Sequence, residues 1–123
     1  MAYTDIDNST AFFQTVIYTG NGATGRSITT GMQPDWVWLK SRGEAEHHQL
    51  SDSVRGVNKQ LYSHLAYAEA TETDRISAFN SDGFTIENDI IVNKNNVEFV
   101  AWNWAAGGSA SSNSDGSITS SVS

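Results

Sequence analysis

Two short segments hold all four tryptophans of the chain, and within each segment the tryptophans are two residues apart. The segments are residues 35–40 (DWVWLK) and 99–104 (FVAWNW). Residues two apart in a strand point to the same face, so each pair places both rings on one side of a sheet. Val37, Leu39, Phe99 and Ala101 alternate with the tryptophans and give the opposite face apolar residues as well. We therefore expect two central strands that are covered on both faces, with the rings in the core rather than on a sugar-binding platform.

The remainder of the chain has the pattern of a β-sheet protein. Seven to nine short segments rich in β-branched and aromatic residues alternate with turn residues, which predicts an all-β fold. We expect a single antiparallel β-sandwich, jelly-roll-like, over residues 12–107. Residues 65–73 are expected to form a loop with one turn of helix, and residues 89–92 a strand that pairs near residues 97–104.

Both ends of the chain differ in composition from this central domain. Residues 1–11 are predicted to form an extended polar arm. Residues 108–123 form a Ser/Gly-rich tail, in which eight of the last fifteen residues are serine. A segment with so little apolar surface is expected to act as a linker that does not order itself.

Charge and composition exclude several classes of partner. The net charge is −7, and the seven basic residues form no cluster, so we expect neither nucleic acid nor an anionic membrane as a partner. There is no cysteine, which excludes disulfides and thiolate metal ligands. No apolar segment approaches the roughly 20 residues of a membrane-spanning helix, so we expect no membrane insertion.

The glycines at positions 20, 22 and 25 match the spacing of a dinucleotide-binding fingerprint. That site also requires a helix to begin directly after the glycines, because the helix N-terminus holds the pyrophosphate. Here a β-branched segment follows, interrupted by Gly31 and Pro34. The sequence therefore predicts a glycine-rich hairpin turn instead.

Metal binding and catalysis have little support in the sequence. His47 and His48 are adjacent, so their side chains diverge and are not expected to share an ion. Residues 5–8 and 80–83 resemble fragments of calcium loops without the full ligand series, so adventitious calcium is the only cation we expect. There is no nucleophile elbow, and the acidic residues cluster in apparent loops. We expect no cofactor, no catalytic residues and no enzymatic activity.

Five blocks of sequence, in order, carry a resemblance to a known family. They are residues 13–22 (FQTVIYTGNG), 28–42 (ITTGMQPDWVWLKSR), 52–57 (DSVRGV), 79–85 (FNSDGFT) and 100–107 (VAWNWAAG). Across nearly all of residues 3–110 they resemble a β-rich module abundant in virion proteins of tailed phages, especially marine ones. The resemblance implies a structural or tail-fibre-like virion component made in the host cytoplasm, with no catalytic residues. Relatives often have Cys-Trp where this chain has Asn103-Trp104, which places an amide at a position expected to be buried.

Two classes of function follow from these observations. The first is a virion structural subunit of the tail-fibre, head-fibre or decoration type, which forms homo-oligomers and binds other virion proteins. Its arm and tail are expected to lie on neighbouring subunits, through contacts at Tyr3, Ile6, Ile118 and Val122. The alternative is a lectin-like carbohydrate-binding module that recognises a host surface glycan. Its candidate contacts lie in the polar loops 43–49 and 65–74, at His47, His48 and Tyr67.

Overall fold

A computed structural model describes residues 12–106, 111–113 and 120–122. These residues form eleven strands and one short helix. In chain order they are β1 (Phe13–Thr19), β2 (Arg26–Thr29), β3 (Trp36–Ser41), β4 (Gln49–Asp52), β5 (Lys59–Gln60), β6 (Ala70–Thr71), β7 (Ile76–Asn80), β8 (Gly83–Ile86), α1 (Ile90–Asn93), β9 (Glu98–Trp104), β10 (Ser111–Asn113) and β11 (Ser120–Val122).

Two antiparallel sheets make up most of the domain. One has four strands in the order β1-β9-β3-β4, and the other has three strands in the order β2-β8-β7. β5 pairs with β6, and a bridge between Leu50 and Leu61 places that pair beside β4. The predicted all-β class and the antiparallel, sandwich-like architecture are confirmed.

The core lies between the two larger sheets. Their facing side chains form one apolar cluster, to which α1 adds Ile91 and Val92. The four-stranded sheet contributes Tyr18, Val37, Leu39, Phe99 and Ala101, and the three-stranded sheet contributes Ile28, Ile76, Phe84 and Ile86. Burying each large side chain of this set stabilises the fold by about 2 kcal/mol, so these residues fix how the two sheets face each other.

The two tryptophan-containing strands are central, as predicted, but their tryptophans lie on the outside. The side chains of β3 and β9 that face the second sheet are buried: Val37, Leu39, Phe99, Ala101 and Asn103. The tryptophans alternate with these residues, and Trp36 is 39% exposed. The prediction that both faces are covered, with the rings in the core, is therefore wrong. The second sheet packs on one face only, and the smaller side chains occupy that face.

Residues 89–92 form the start of a helix rather than the predicted strand. The Asp89 carboxylate accepts a hydrogen bond from the Ile91 amide (2.8 Å), which makes Asp89 the N-cap of α1. The β-branched segment favoured a strand, but the cap and the burial of Ile91 and Val92 favour one helical turn. No helix among the described residues is long and apolar enough to cross a membrane. Residues 65–73 contain β6 in place of the expected turn of helix.

The glycine-rich segment 20–25 joins the two sheets, so the predicted hairpin is also wrong. β1 pairs with β9 and β2 with β8, and the loop between them surrounds the buried Asn93 side chain. The Asn93 amide bonds both to Asn21 and to the Ala23 carbonyl. Gly20 is required because a Cβ there would lie 2.0 Å from the Lys94 carbonyl oxygen. β2 follows instead of a helix, which removes the basis of a dinucleotide site.

The Ser/Gly-rich tail contains a short antiparallel ladder, in which β10 pairs with β11. A ladder is formed by backbone groups, which serine and asparagine also supply. The role of residues 108–123 as a tail or linker stays a prediction.

The Arg75 guanidinium is a buried charge that joins several parts of the fold. It donates to the Gln49 side chain (2.9 Å), to the Tyr62 hydroxyl (2.9 Å) and to the Asp89 carboxylate (3.1 Å). Burial opposes the charge, but the hydrogen bonds to Tyr62 and Asp89 outweigh it and raise the pKa of Arg75. Arg75 therefore connects β4, the cap of α1 and the loop after β5.

Replacing Arg75 by alanine is expected to lower the free energy of unfolding by about 3–5 kcal/mol, because the change leaves buried polar partners uncompensated. The matched control is Arg55→Ala. Its ion pairs with Asp52 and Glu69 are at the surface, and we expect a loss below about 1 kcal/mol. Urea denaturation of both variants measures the difference. Equal losses would contradict a central role for Arg75.

Asn103 is fully buried, as expected for its place in the last strand of the sandwich. Its side-chain nitrogen donates to the carbonyls of Gln14 and Ala101, both at 3.1 Å. Its side-chain oxygen has no hydrogen-bond partner among the described residues. A buried acceptor without a partner costs stability.

Asn103→Cys removes this acceptor but also the two hydrogen bonds that the amide donates, so we expect the free energy of unfolding to change by less than about 1 kcal/mol. Asn103→Asp is the contrasting variant, because it buries a carboxylate and should destabilise the domain by clearly more. Thermal and urea denaturation report both effects. A Cys variant that is destabilised as much as Asn103→Asp would refute the argument.

Candidate functional site

The outward face of the four-stranded sheet carries two rows of aromatic rings. In the first row, Trp104 of β9 lies directly opposite Phe13 of β1 on one side and Trp36 of β3 on the other. In the second row, Trp102 lies opposite Trp38. We call these five residues the tryptophan face. All four tryptophans of the chain therefore lie on one side of one sheet.

The rings within each row are in contact. Trp36 and Trp104 are stacked, with centroids 4.5 Å apart and planes inclined by 24°. Phe13 packs on Trp104 at 5.1 Å, and Trp38 packs on Trp102 at 5.4 Å in a tilted arrangement. Trp104 thus has neighbours on both sides, whereas Trp36 ends its row and is the most exposed of the four tryptophans.

Charged side chains adjoin the tryptophan face at Trp36. Asp52 of β4 lies opposite Trp36 in the sheet register. The Asp52 carboxylate is 3.1 Å from the Arg55 guanidinium, which also contacts Glu69 at 2.8 Å. Asp35, next to Trp36 in the chain, accepts hydrogen bonds from the Ser53 hydroxyl and the Ala106 amide. An aromatic ring and several hydrogen-bonding groups therefore meet at the same edge.

A second group of rings lies in the loops beside β4. We call it the histidine cluster, and its members are His47, His48, Tyr62, His64 and Tyr67. Ring centroids are 5.0 Å apart for His48 and His64, 5.2 Å for His47 and His64, and 5.7 Å for Tyr62 and Tyr67. The bridge between Leu50 and Leu61 brings the two loops together, since each histidine-bearing segment lies within three residues of it. Tyr67 is 62% exposed.

One hydrogen bond joins the two ring systems. The Trp38 indole N–H donates to His48 Nδ1 at 3.0 Å, and the two rings are 5.8 Å apart. Partial burial lowers the pKa of His48, and the nearby positive charges of His64 and Lys40 lower it further. The tryptophan face and the histidine cluster therefore form one continuous surface.

The structure brings together the three residues that the sequence named as candidate glycan contacts, His47, His48 and Tyr67. The sequence did not identify Tyr62 and His64 as their neighbours, because no spacing links the two loops. Nor did it place the tryptophans on the same surface.

The residues expected to mediate assembly lie at the two ends of the chain. Tyr3, Ile6 and Ile118 lie outside the described residues. Val122 belongs to β11 and is paired with Ser111 of β10. Their expected role in contacts between subunits therefore stays a prediction.

Metal-ligand geometry is not found in the described part of the chain, where no three His, Asp or Glu side chains are arranged to hold an ion. His47 Nδ1 and His64 Nε2 are 3.0 Å apart and share a hydrogen bond. The calcium-like segment 80–83 spans the turn between β7 and β8, and the Asp82 carbonyl accepts hydrogen bonds from the Thr30 and Gly31 amides. The other segment, 5–8, lies outside the described residues.

Comparison with known proteins gives one result. No curated protein and no solved structure matches the chain. A family model does match it, over residues 8–123, and its description is "Domain of unknown function (DUF7483)". Because this match covers nearly all of the sequence, the chain belongs to the DUF7483 family of domains of unknown function.

Proposed function

We propose that this domain is a non-catalytic recognition module that binds a neutral surface glycan through the tryptophan face. The observation that carries the proposal is the outward position of all four tryptophans on one sheet. A soluble domain rarely exposes a continuous aromatic surface unless that surface binds something. This order of candidates reverses the one based on sequence, which had placed the rings in the core.

Trp36 is the ring best placed to stack on a sugar. The apolar C–H face of a pyranose packs on an aromatic ring, while its hydroxyls bond to polar groups at the rim. Trp36 has Trp104 against one side only and retains 39% exposure. On its other side, Asp52 and Arg55 supply an acceptor and donors.

The charge near Trp36 favours a neutral glycan. Asp35, Asp52 and Glu69 outnumber the single cation Arg55 at this edge, and the whole chain carries a net charge of −7. An anionic sugar such as a sialylated or sulfated one would be repelled. Hydroxyl groups instead pair well with carboxylates and a guanidinium.

Incubation of the purified chain with an immobilised panel of neutral and anionic oligosaccharides tests this proposal. We expect binding to neutral members, and we expect Trp36→Ala to weaken it by about tenfold or more, as for an aromatic anchor at the centre of a contact. The control is Ile17→Ala, which alters a residue on the same sheet face that is 54% exposed. It should leave binding unchanged.

Two results would contradict the proposal. One is no binding to any neutral member of the panel. The other is an equal loss in both variants, because that would indicate general apolar adhesion, as to a protein surface, rather than ring stacking. Circular dichroism spectra of both variants exclude misfolding as the cause.

We propose a virion structural subunit of the tail-fibre, head-fibre or decoration type as the second candidate. The sequence resemblance to phage virion modules supports it, and so does the edge of the four-stranded sheet. β1 is an outer strand of that sheet, and Phe12 and Phe13 at its start are 42% and 38% exposed. An apolar outer strand is a site where another chain adds to a sheet.

For this second candidate we expect the full chain to form homo-oligomers in light scattering and negative-stain microscopy. Removing residues 1–11 and 108–123 should reduce the assembly to monomers if these segments contact neighbouring subunits. Trp36→Ala should leave the oligomer intact, which separates assembly from glycan binding. A full chain that stays monomeric at every concentration would end this candidate.

A further inference from the structure

We propose that His48, through its hydrogen bond with Trp38, makes binding by the tryptophan face sensitive to pH, so that the ligand is held near neutral pH and released in acid. This inference rests on the proposed function for the ligand, but the switch itself is a property of the free protein. It is carried by the bond between the two rings and by the surroundings of His48.

The bond between Trp38 and His48 fixes the protonation state of the imidazole. An indole N–H only donates, so His48 Nδ1 must present its lone pair at the 3.0 Å separation. His48 is therefore neutral, with its proton on Nε2. Protonating Nδ1 would place two N–H donors against each other and break the bond.

The other histidines of the cluster add to this dependence. His47 Nδ1 and His64 Nε2 are 3.0 Å apart, so one of them donates and the other accepts. His64 also lies 5.0 Å from His48 between ring centroids, so a charge on His64 opposes a charge on His48. The cluster keeps all its bonds only while His48 is neutral.

The remaining ionisable groups around His48 do not offset this effect. Partial burial lowers the pKa of His48 most, and the charges of His64 and of Lys40 in β3 lower it further. The nearby carboxylate of Glu44 is paired with Lys94 at 3.0 Å, and Glu46 contributes no hydrogen bond or ion pair to His48. Tyr62 accepts from Arg75, and Tyr67 contacts His47 and Tyr62 through ring edges.

Trp38 is where the histidine cluster meets the bound ligand. Trp36 and Trp38 are successive residues on one face of β3, which places them roughly 7 Å apart along the strand. An oligosaccharide that stacks its first ring on Trp36 would thus reach Trp38 with the next one. Trp38 is positioned by Trp102 on one side and by the bond to His48 on the other. Without that bond, the Trp38 ring loses one of its two restraints and is no longer held in position for the ligand.

The first measurement follows the four indole N–H signals of the full chain by NMR from pH 8 to pH 4.5, with Trp38→Phe used for assignment. We expect the Trp38 signal to shift with a midpoint below about 6.5, the ordinary value for histidine, and the Trp36 signal to stay constant. His48→Asn is the decisive variant, because its amide oxygen accepts the same bond but does not titrate. In that variant the Trp38 shift should vanish.

His64→Asn is the second variant. It removes one of the charges that oppose protonation of His48, so the midpoint of the Trp38 shift should rise. An unchanged Trp38 signal in the original chain, or the same transition in His48→Asn, would overturn the inference. Far-UV circular dichroism across the range confirms that the fold is intact.

The second measurement compares binding to the same panel of neutral oligosaccharides at pH 7.5 and pH 5.0. We expect about a fivefold loss in acid for the original chain, as for one hydrogen bond, and no such loss for His48→Asn. Equal pH dependence in both would also overturn the inference. A panel that binds at neither pH would count against the proposed function alone, since the NMR titration decides the switch without a ligand.

Discussion

A sandwich built from two sheets has one interior, and this constraint governs the whole molecule. β3 and β9 carry apolar side chains on both faces, yet only one face of each can meet the second sheet. The interior face is filled by Val37, Leu39, Phe99 and Ala101, which fit between closely packed sheets. The larger indoles are left on the outside, where they pack on one another instead. The candidate binding surface is thus a direct result of how the core is filled.

Much of the fold follows from local sequence, and the strongest example is β3. The position of β3 can be predicted because Gly31 and Pro34 end the preceding element, and because the alternating tryptophans indicate an extended strand. Prediction failed where two local signals competed. At residues 89–92 a β-branched segment favoured a strand, but the Asp89 cap and burial against the core produced a helical turn.

The candidate site was harder to predict, because it depends on which parts of the chain meet. His47 and His48 stood out as a pair, but their neighbours Tyr62 and His64 follow β5 and reach them only through the bridge between Leu50 and Leu61. It was equally difficult to predict whether the tryptophans face the core or the outside. Alternation assigns residues to two faces of a strand without showing which face the second sheet covers. Both facts concern pairing between distant segments, and a single sequence carries no record of it.

The Arg75 network ties one residue of the histidine cluster to the core. Tyr62 is tied through Arg75 to Gln49 and to the cap of α1, so a change there would disturb the core. Tyr67 projects from the same loop with no such tie and is exposed. Homologous domains with different binding preferences should therefore differ more readily at Tyr67 than at Tyr62. A library built on this position would sample new specificities on an unchanged scaffold.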